Sequence, residues 1–589
     1  MLLSLPWASG WIRRNGPRPA AYLNLLVTLL AVVHGSLLLL HVLTTGPVHL
    51  EIPWFSAADL NLVIGFDLSL TNLAALEFVT GMSLIGQVFA LGYLDKEWAL
   101  ARFYALLGFF EGAMAGVVLS SNLFMSYFLL EMLTLSTYLL VGFWYAQPLV
   151  VTAARDAFLT KRVGDVLLLM SVVALAALAG STTFTDLYAW AAGQPLGPLA
   201  ANLLGLGLIA GPMGKCAQFP MHLWLDEAME GPNPASILRN SVVVTCGALV
   251  LLKVMPLLRM APLAITVLLV VGTISAIGGA LVAIAQVDLK RAFSYSTTSY
   301  LGLVFIAIAL QQPFLALLLL FAHGLAKALL FMSVGSVIST TNCQNITELG
   351  GMGSRMPATT TAYLVAGAGL TGLLPLGCFW SFALLVQAFS PFFAAVVLIT
   401  NGLTVFNLVR VYRQVFLDRP HPKTRRTPEV TWLMALPMVS LSVLVLVMPW
   451  LMARLDSVPG LASFSLRTGL LVVISSLAGG GLAALIPLDK FDSRSVLRPL
   501  RILQDLLAFD FYTDRIYRAT IVAFVASLAR LTNGFDRRVV NGLVNWIGSS
   551  SLSSAQTLKL SVSGQLQSYV LTVVVAIVIL FSALSWFQG

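Results

Sequence analysis

Runs of about twenty apolar residues, separated by short polar loops, recur along almost the whole of the 589-residue chain. A helix needs roughly twenty such residues to cross a bilayer, and in lipid every backbone polar group must be satisfied within the protein. The pattern predicts fifteen spans, near 20–45, 67–93, 99–120, 123–146, 163–181, 201–221, 235–257, 262–286, 295–311, 314–340, 358–378, 380–410, 431–453, 466–488 and 566–587. The fold class is therefore an all-α polytopic membrane protein of about fifteen transmembrane helices. One stretch keeps a different rhythm. Across 509–548, apolar residues such as Ile516, Phe524, Leu528, Leu531 and Phe535 return at three- or four-residue steps, and arginines fall between them. That predicts an amphipathic helix lying along the membrane. At 1.5 Å per residue, forty helical residues reach ~60 Å. Two readings stay open: a lipid-surface anchor, or a bridge to neighbouring subunits.

Composition closes off other classes. The chain is 58% hydrophobic and 10% charged, with mean hydropathy +0.90; soluble domains carry about a quarter charged residues. The net charge of +9 reads as a topology signal, not as nucleic-acid binding. If the spans alternate, Arg13, Arg14 and Arg18, then Arg155, Lys161 and Arg162, then Lys290 and Arg291, Arg355, the 413–426 run and Lys490 to Arg501 share one side. Glu51, Asp59, Asp186, Arg259 and Asp456 mark the other. The positive-inside rule places the basic loops in the cytoplasm. Cys216, Cys246, Cys343 and Cys378 follow no zinc or iron–sulfur spacing. No redox centre, metal or cofactor site is expected in this chain.

Charges within the spans each need a reason, because one at mid-bilayer costs at least ~2.5–3.5 kcal/mol. Glu131, in FLLEMLTLSTYLL, has no basic residue within a helical turn. Lys215 is its natural partner. It follows GPMG and precedes Pro220, and a helix interrupted there exposes backbone groups, as in ion pathways. A partly buried lysine also releases its proton more readily. His323 and Lys327, four apart, share a helix face suited to a relay; a packing histidine is the plainer reading. Lys253, ahead of Pro256, reads as a snorkelling anchor. His34 and His41 share the N-terminal spans with Glu77 and Glu111, either as a polar cluster or as a second hydrated path.

The stretch KCAQFPMHLWLDEAMEGPNPAS resembles the AK-S-AQFP-LH-WLPDAMEGPTP signature of the subunit-5 family of complex I, the NuoL/NdhF antiporter-like subunits. EMLTLSTYLLVGFWY, RVGDVLLL, VDLKRAFSYSTTSYLGL, HGLAKALLFMSVGSVI, GLLPLGCFW and DFYTDRIYR follow in the family's order, from about residue 67 to the end of the chain. The resemblance implies two inverted five-helix repeats, each with a broken helix, over 99–257 and 258–417. N-terminal helices at 1–98 would precede them. Further spans at 418–490, a linker and lateral helix at 491–565 and a last span at 566–589 would follow. It implies proton translocation driven by electron transfer elsewhere, with iron–sulfur clusters and quinone in partner subunits. By position, Glu131, Lys215, His222, His323 and Lys327 match the proton-carrying residues, and Arg162 and Asp165 match a pair that tunes them. The lateral helix would clamp adjacent antiporter-like subunits.

Departures sharpen the resemblance. MLLSLPWAS is too short to cross, so the family's first helix looks absent or truncated. Phe382 stands where the second broken helix usually has lysine, and Asn240, beside Arg239, where a histidine is usual. The chain looks closest to the cyanobacterial NdhF variants of the carbon-dioxide-uptake NAD(P)H dehydrogenase. That implies a thylakoid location, ferredoxin-to-plastoquinone electron transfer, and a peripheral partner that hydrates carbon dioxide, with zinc there. Glu77, Glu111, His34, His41 and Arg239 become candidates for an extra proton path. The respiratory form of the same subunit and an Mrp-type cation/proton antiporter are the alternatives.

Overall fold

The computed structural model describes residues 18–57, 60–193, 196–454, 465–486 and 498–588. Arg13, Arg14, Asp59, Asp456 and the 487–497 part of the linker lie outside the described residues. Thirteen helices among the described residues are long and apolar enough to cross a membrane, so the chain is an integral membrane protein. In order, the elements of the first half are α1 (Arg18–Thr45), β1 (Val48–Ala57), β2 (Leu60–Leu68), α2 (Leu70–Tyr93), α3 (Leu100–Leu119), α4 (Leu123–Val141), α5 (Pro148–Ala179), α6 (Phe184–Ala192), α7 (Pro198–Lys215), α8 (Leu223–Glu227) and α9 (Asn233–Leu258). Then come α10 (Pro262–Ala285), α11 (Leu289–Ala309), α12 (Pro313–Thr341), α13 (Pro357–Leu370), α14 (Gly377–Ala388), α15 (Pro391–Leu417), α16 (Trp432–Arg454), α17 (Leu466–Leu485) and α18 (Arg498–Ala508). Proline stands in the first turn of α5, α7, α10, α12, α13 and α15, where its missing N–H costs nothing.

Burial grades from the centre outward. The apolar window of α11 is wholly buried, whereas that of α1 is only 17% buried, so α11 is enclosed by this chain and α1 leaves most of its surface uncovered by it. Small residues permit the central packing. A Cβ on Gly302 of α11 would fall 2.5 Å from the Gly272 carbonyl oxygen of α10, so the two helices touch backbone to backbone.

Four expectations need correction. The predicted span at 163–181 begins at Pro148, so Arg155, Lys161 and Arg162 lie within a 32-residue helix and not in a loop. Lys290 likewise sits in the first turn of α11 and is buried; neither it nor Lys161 can serve as a loop charge marking sidedness. The runs 358–378 and 380–410 divide elsewhere: α13 and α14 are two pieces of one interrupted helix, and α15 starts at Pro391. Finally, residues 48–68 form an antiparallel hairpin. Val48, Leu50 and Ile52 alternate with His49 and Glu51, a two-residue period that a search for spans passes over. This hairpin is laced to two loops. Gly65 accepts from the Ser121 amide (3.0 Å), Val63 accepts from the Asn122 side chain (2.8 Å), Thr182 accepts from the Leu123 amide (2.8 Å) and Ser121 accepts from the Phe184 amide (3.2 Å).

The chain divides into two units, Met1–Phe511 and Tyr512–Gly589. The second is helical over 513–561, with wide turns at Arg518–Val522 and Asp536–Val540, and ends in a helix at Leu566–Gln588. The long helix thus starts and stops later than the predicted 509–548, because Tyr512 takes a left-handed conformation just before it. Its 49 residues reach about 70 Å. Phe524, Leu528, Leu531 and Phe535 are all exposed, an apolar row of the kind that meets lipid or another protein.

Candidate functional site

Pro212 and Pro220 bracket the end of α7, and the chain there leaves helical geometry, with Ala217 at φ 51°. The backbone groups released by the break are taken up by protein. Trp224 Nε1 donates to the Gly214 carbonyl (2.6 Å), the Gln218 amide to the Cys216 and Thr298 carbonyls (2.9 and 3.1 Å), and the Phe219 N–H to Ser275 Oγ (3.0 Å). The break is therefore a built feature whose polar groups side chains satisfy.

Lys215, at the broken end, is 1% exposed. Its ammonium donates to both Asp165 carboxylate oxygens (2.6 and 2.7 Å) and to Thr134 Oγ1; Thr134 Oγ1 in turn lies 3.0 Å from Asp165 Oδ2. Glu131, one turn before Thr134 on α4, pairs with Arg162 of α5 at 2.5 Å. The expected direct partnership of Glu131 with Lys215 is thus replaced by two ion pairs in series. Asp165, expected only to tune them, is the counter-ion of Lys215. The two pairs lie close together: Thr134, which contacts both Lys215 and Asp165, is one turn from Glu131 on α4, and Asp165 is one turn from Arg162 on α5. In a site of low polarity charges so placed couple strongly.

Further polar groups are buried along the central helices, a thread made of separate contacts. Lys161 donates to Thr137 (3.0 Å) and lies 3.5 Å over the Trp224 ring. Lys290 donates to the carbonyls of Met229 and Gly231. Asn240 accepts from Thr297 (2.9 Å). Next to Thr297, Ser296 accepts from Lys327, which also donates to the Phe293 carbonyl (2.7 Å). His323 is buried, stacks on Tyr300 at 5.0 Å and has neither ring nitrogen hydrogen-bonded; Phe382 also packs on Tyr300, tilted, at 5.7 Å. Thr134 went unassigned in the sequence, where a threonine carries no signal, and Lys161 and Lys290 were read there only as loop charges marking sidedness.

His222 has an acid partner that no local pattern discloses. Its Nε2 lies 2.6 Å from Asp510 Oδ2, 288 residues away, and its ring packs near Phe219 and Tyr295. At the second break, Asn401 Oδ1 accepts from the Gly372 N–H (3.0 Å) and the Leu370 carbonyl accepts from Tyr300.

The N-terminal candidates separate. Glu111 accepts from Thr28, Ser83 and Gln87 at 2.8–2.9 Å, all on one oxygen. It borders a cavity of about 510 Å³ that His34, Asn24 and Thr80 also line. Glu77 accepts from Ser36 (3.0 Å). His41 is exposed and lines no part of that cavity. Arg239, grouped with them from the sequence, sits instead in the central thread at the wide turn of α9. Lys253 is not a snorkelling anchor: its ammonium caps α3, accepted by the carbonyls of Val117, Val118 and Ser120 at 3.1, 2.8 and 2.8 Å, where a cation suits the helix C-terminus.

Residues 120–407 match the family described as NADH:quinone oxidoreductase/Mrp antiporter, and residues 54–104 match the N-terminus of chain 5 of NADH-ubiquinone oxidoreductase (complex I). The fold is similar to a chain of the Mrp complex from Dietzia sp. DQ12-45-1b (TM-score 0.69, 21% identity, 97% of this chain and 63% of that one). It is also similar to a chain of an archaeal membrane-bound sulfane sulfur reductase (TM-score 0.68, 16% identity, 80% of this chain and 95% of that one). In sequence, the chain is 32% identical over 571 residues to chloroplastic NAD(P)H-quinone oxidoreductase subunit 5 of Nephroselmis olivacea, covering 90% of this chain and 87% of that protein. It is 67% identical over 591 residues to NAD(P)H-quinone oxidoreductase subunit 5, organellar chromatophore 2, of Paulinella chromatophora, covering 100% of this chain and 96% of that protein. With Lys215 ion-paired at an interrupted helix and this full-length likeness, the chain belongs to the NAD(P)H-quinone oxidoreductase subunit 5 family of antiporter-like membrane proteins.

Proposed function

We propose that this chain translocates protons as the subunit 5 of a type I NAD(P)H/ferredoxin:plastoquinone oxidoreductase, in a thylakoid membrane, within the form coupled to carbon dioxide hydration and uptake. One observation carries the proton-transfer reading: Lys215, sealed at a helix break, is ion-paired to Asp165, which lies one turn along α5 from Arg162 of the Glu131–Arg162 pair. Opening the Glu131–Arg162 pair adds negative charge near Asp165 and steadies the Lys215 ammonium; closing it does the reverse. Lys215 then gives up its proton along the thread through Asn240 and Thr297 toward Lys327 and His323. His222 is a further carrier at the break. Electrons stay in partner subunits that hold iron–sulfur clusters and quinone; this chain supplies the field-sensitive proton site.

The test is Lys215→Met in the assembled complex reconstituted into vesicles. Quinone reduction with proton uptake abolished supports the reading, and uptake at the wild-type rate overturns it. The carbon-dioxide branch draws support from Glu111, bound by three donors at the edge of the cavity that His34 also lines. Glu77, held separately by Ser36, is a second candidate for the path of the proton released on hydration. Glu111→Gln is expected to lower carbon dioxide uptake several-fold in an assembled complex; unchanged uptake would sink this branch. Copurification of a zinc-bearing subunit distinguishes it from the respiratory form.

A further inference from the structure

The cavity of about 510 Å³ lies among α1, α2 and α3, and its depth decides what can enter it. The α1 residues that line it run from Asn24 to Gly35, and Glu111 is the twelfth of the twenty residues of α3. At 1.5 Å per residue these positions fall ~9–26 Å along α1 and ~17 Å along α3, within the span of a ~30 Å hydrocarbon layer. Val27 and His34, on the α1 side of the lining, are both exposed. The cavity therefore opens at the depth of the lipid tails, where an entrant arrives from the membrane.

Its walls are mainly apolar or bare, formed by Ala31, Leu76, Gly108, Phe109 and Gly112. Small residues ordinarily let membrane helices close on one another; here they leave a hollow, and a Cβ on Gly112 would meet nothing within 4 Å. Most polar groups at the walls are already used. Thr80 donates to the Leu76 carbonyl (3.0 Å), and Thr28 donates to Glu111 (2.8 Å) while accepting from Gln87 (2.9 Å). Two remain inside the exposed rim. Asn24 Nδ2 is buried without a partner. Glu111 is 8% exposed, and its three donors crowd Oε2, while Oε1 makes no hydrogen bond among the described residues. Any proton on this carboxyl must therefore sit on Oε1. Polar groups left open in an apolar site are costly until something bonds to them, and water settles only where two to four polar partners converge.

We propose that this cavity binds a membrane amphiphile with an apolar body and one hydroxyl-bearing head, the chemistry shared by a quinol and a lipid alcohol. The body lies along the apolar walls, and the hydroxyl meets the polar groups that the helices leave open. A hydroxyl both donates and accepts, so it can take the Asn24 N–H and can pair with Glu111 Oε1 whether that oxygen carries a proton or not. A cavity of this size, apolar with a few placed polar groups, has the make-up of a small-molecule site. The site shares Glu111 with the carbon dioxide branch proposed above but requires neither hydration nor proton transfer. Binding is read without turnover, so the failure of either leaves the other standing.

The experiment uses the intact complex in lipid nanodiscs and a long-chain alcohol carrying a photoreactive diazirine in its chain. After illumination, peptides of α1 and α3 that line the cavity are expected to carry label that saturates with probe concentration. Gly112→Phe fills the hollow without meeting a neighbour and should abolish the saturable labelling. Asn24→Leu removes one polar contact and should raise the concentration for half-saturation about fivefold, the scale of one neutral hydrogen bond. Unlabelled hexadecanol and decylplastoquinol compete as separate arms, and the one that displaces the probe at lower concentration identifies the source. Labelling that rises without saturating, that neither competitor reduces, or that persists unchanged in Gly112→Phe is ordinary lipid contact and overturns the proposal. Should Gly112→Phe fail to assemble, wild-type saturation curves in both Ala31→Leu and Asn24→Leu would overturn it equally.

Discussion

The two ion pairs of the site differ in burial, and that difference separates their roles. Asp165 and Lys215 are 2% and 1% exposed at the side chain, whereas Arg162 is 39% exposed. Removing one partner of a buried pair leaves an uncompensated charge and costs about 3–5 kcal/mol; the Glu131–Arg162 pair, partly uncovered, leaves its remaining partner less completely stranded. Asp165→Asn should therefore lower the melting temperature of the solubilised complex more than Arg162→Gln. Equal shifts would show that the buried pair carries no special weight. Glu131 and Lys215 were legible as single residues, because an ionised group in an apolar run stands out. Their pairing was not. Asp165, named there only as a tuning residue, lies on α5, two helices before Lys215 on α7, and Asp510 meets His222 from 288 residues away, so only folding brings those charges together.

At the scale of elements, the positions of helices and the break before Pro220 were largely readable from apolar runs and prolines, while the wide turns and the hairpin were not. The second break, expected only from the resemblance, divides α13 from α14 where an apolar run hides it. The hairpin at 48–68 has a two-residue rhythm too short to compete with neighbouring spans. Lys253 shows how a side chain misread from its position can be structural. Its ammonium gathers three carbonyls at the end of α3 and so fastens α9 to α3. Lys253→Met strands those carbonyls and is expected to cost on the order of 2 kcal/mol. The measurement is melting of the assembled complex together with proton uptake per assembled complex. Lowered melting with unchanged uptake is the expected outcome, and a selective loss of uptake would instead place Lys253 on a proton route.

For the molecule as a whole, the boundary at Phe511 and Tyr512 matters most. The first unit has its own extensive core, whereas the second exposes nearly all of its apolar side chains. A chain ending at residue 511 should keep the melting behaviour of the first unit but lose comigration with the large complex on native gels; retained comigration would deny the long helix a part in assembly. The hairpin has one more consequence. Because β2 and the turns at 120–123 and 182–184 share reciprocal backbone bonds, these connections cannot fray one at a time as ordinary surface loops do. The Ser121, Leu123 and Phe184 amides should take up deuterium at a common rate, so that end of the first unit behaves as a single woven rim on which the helix tips are anchored.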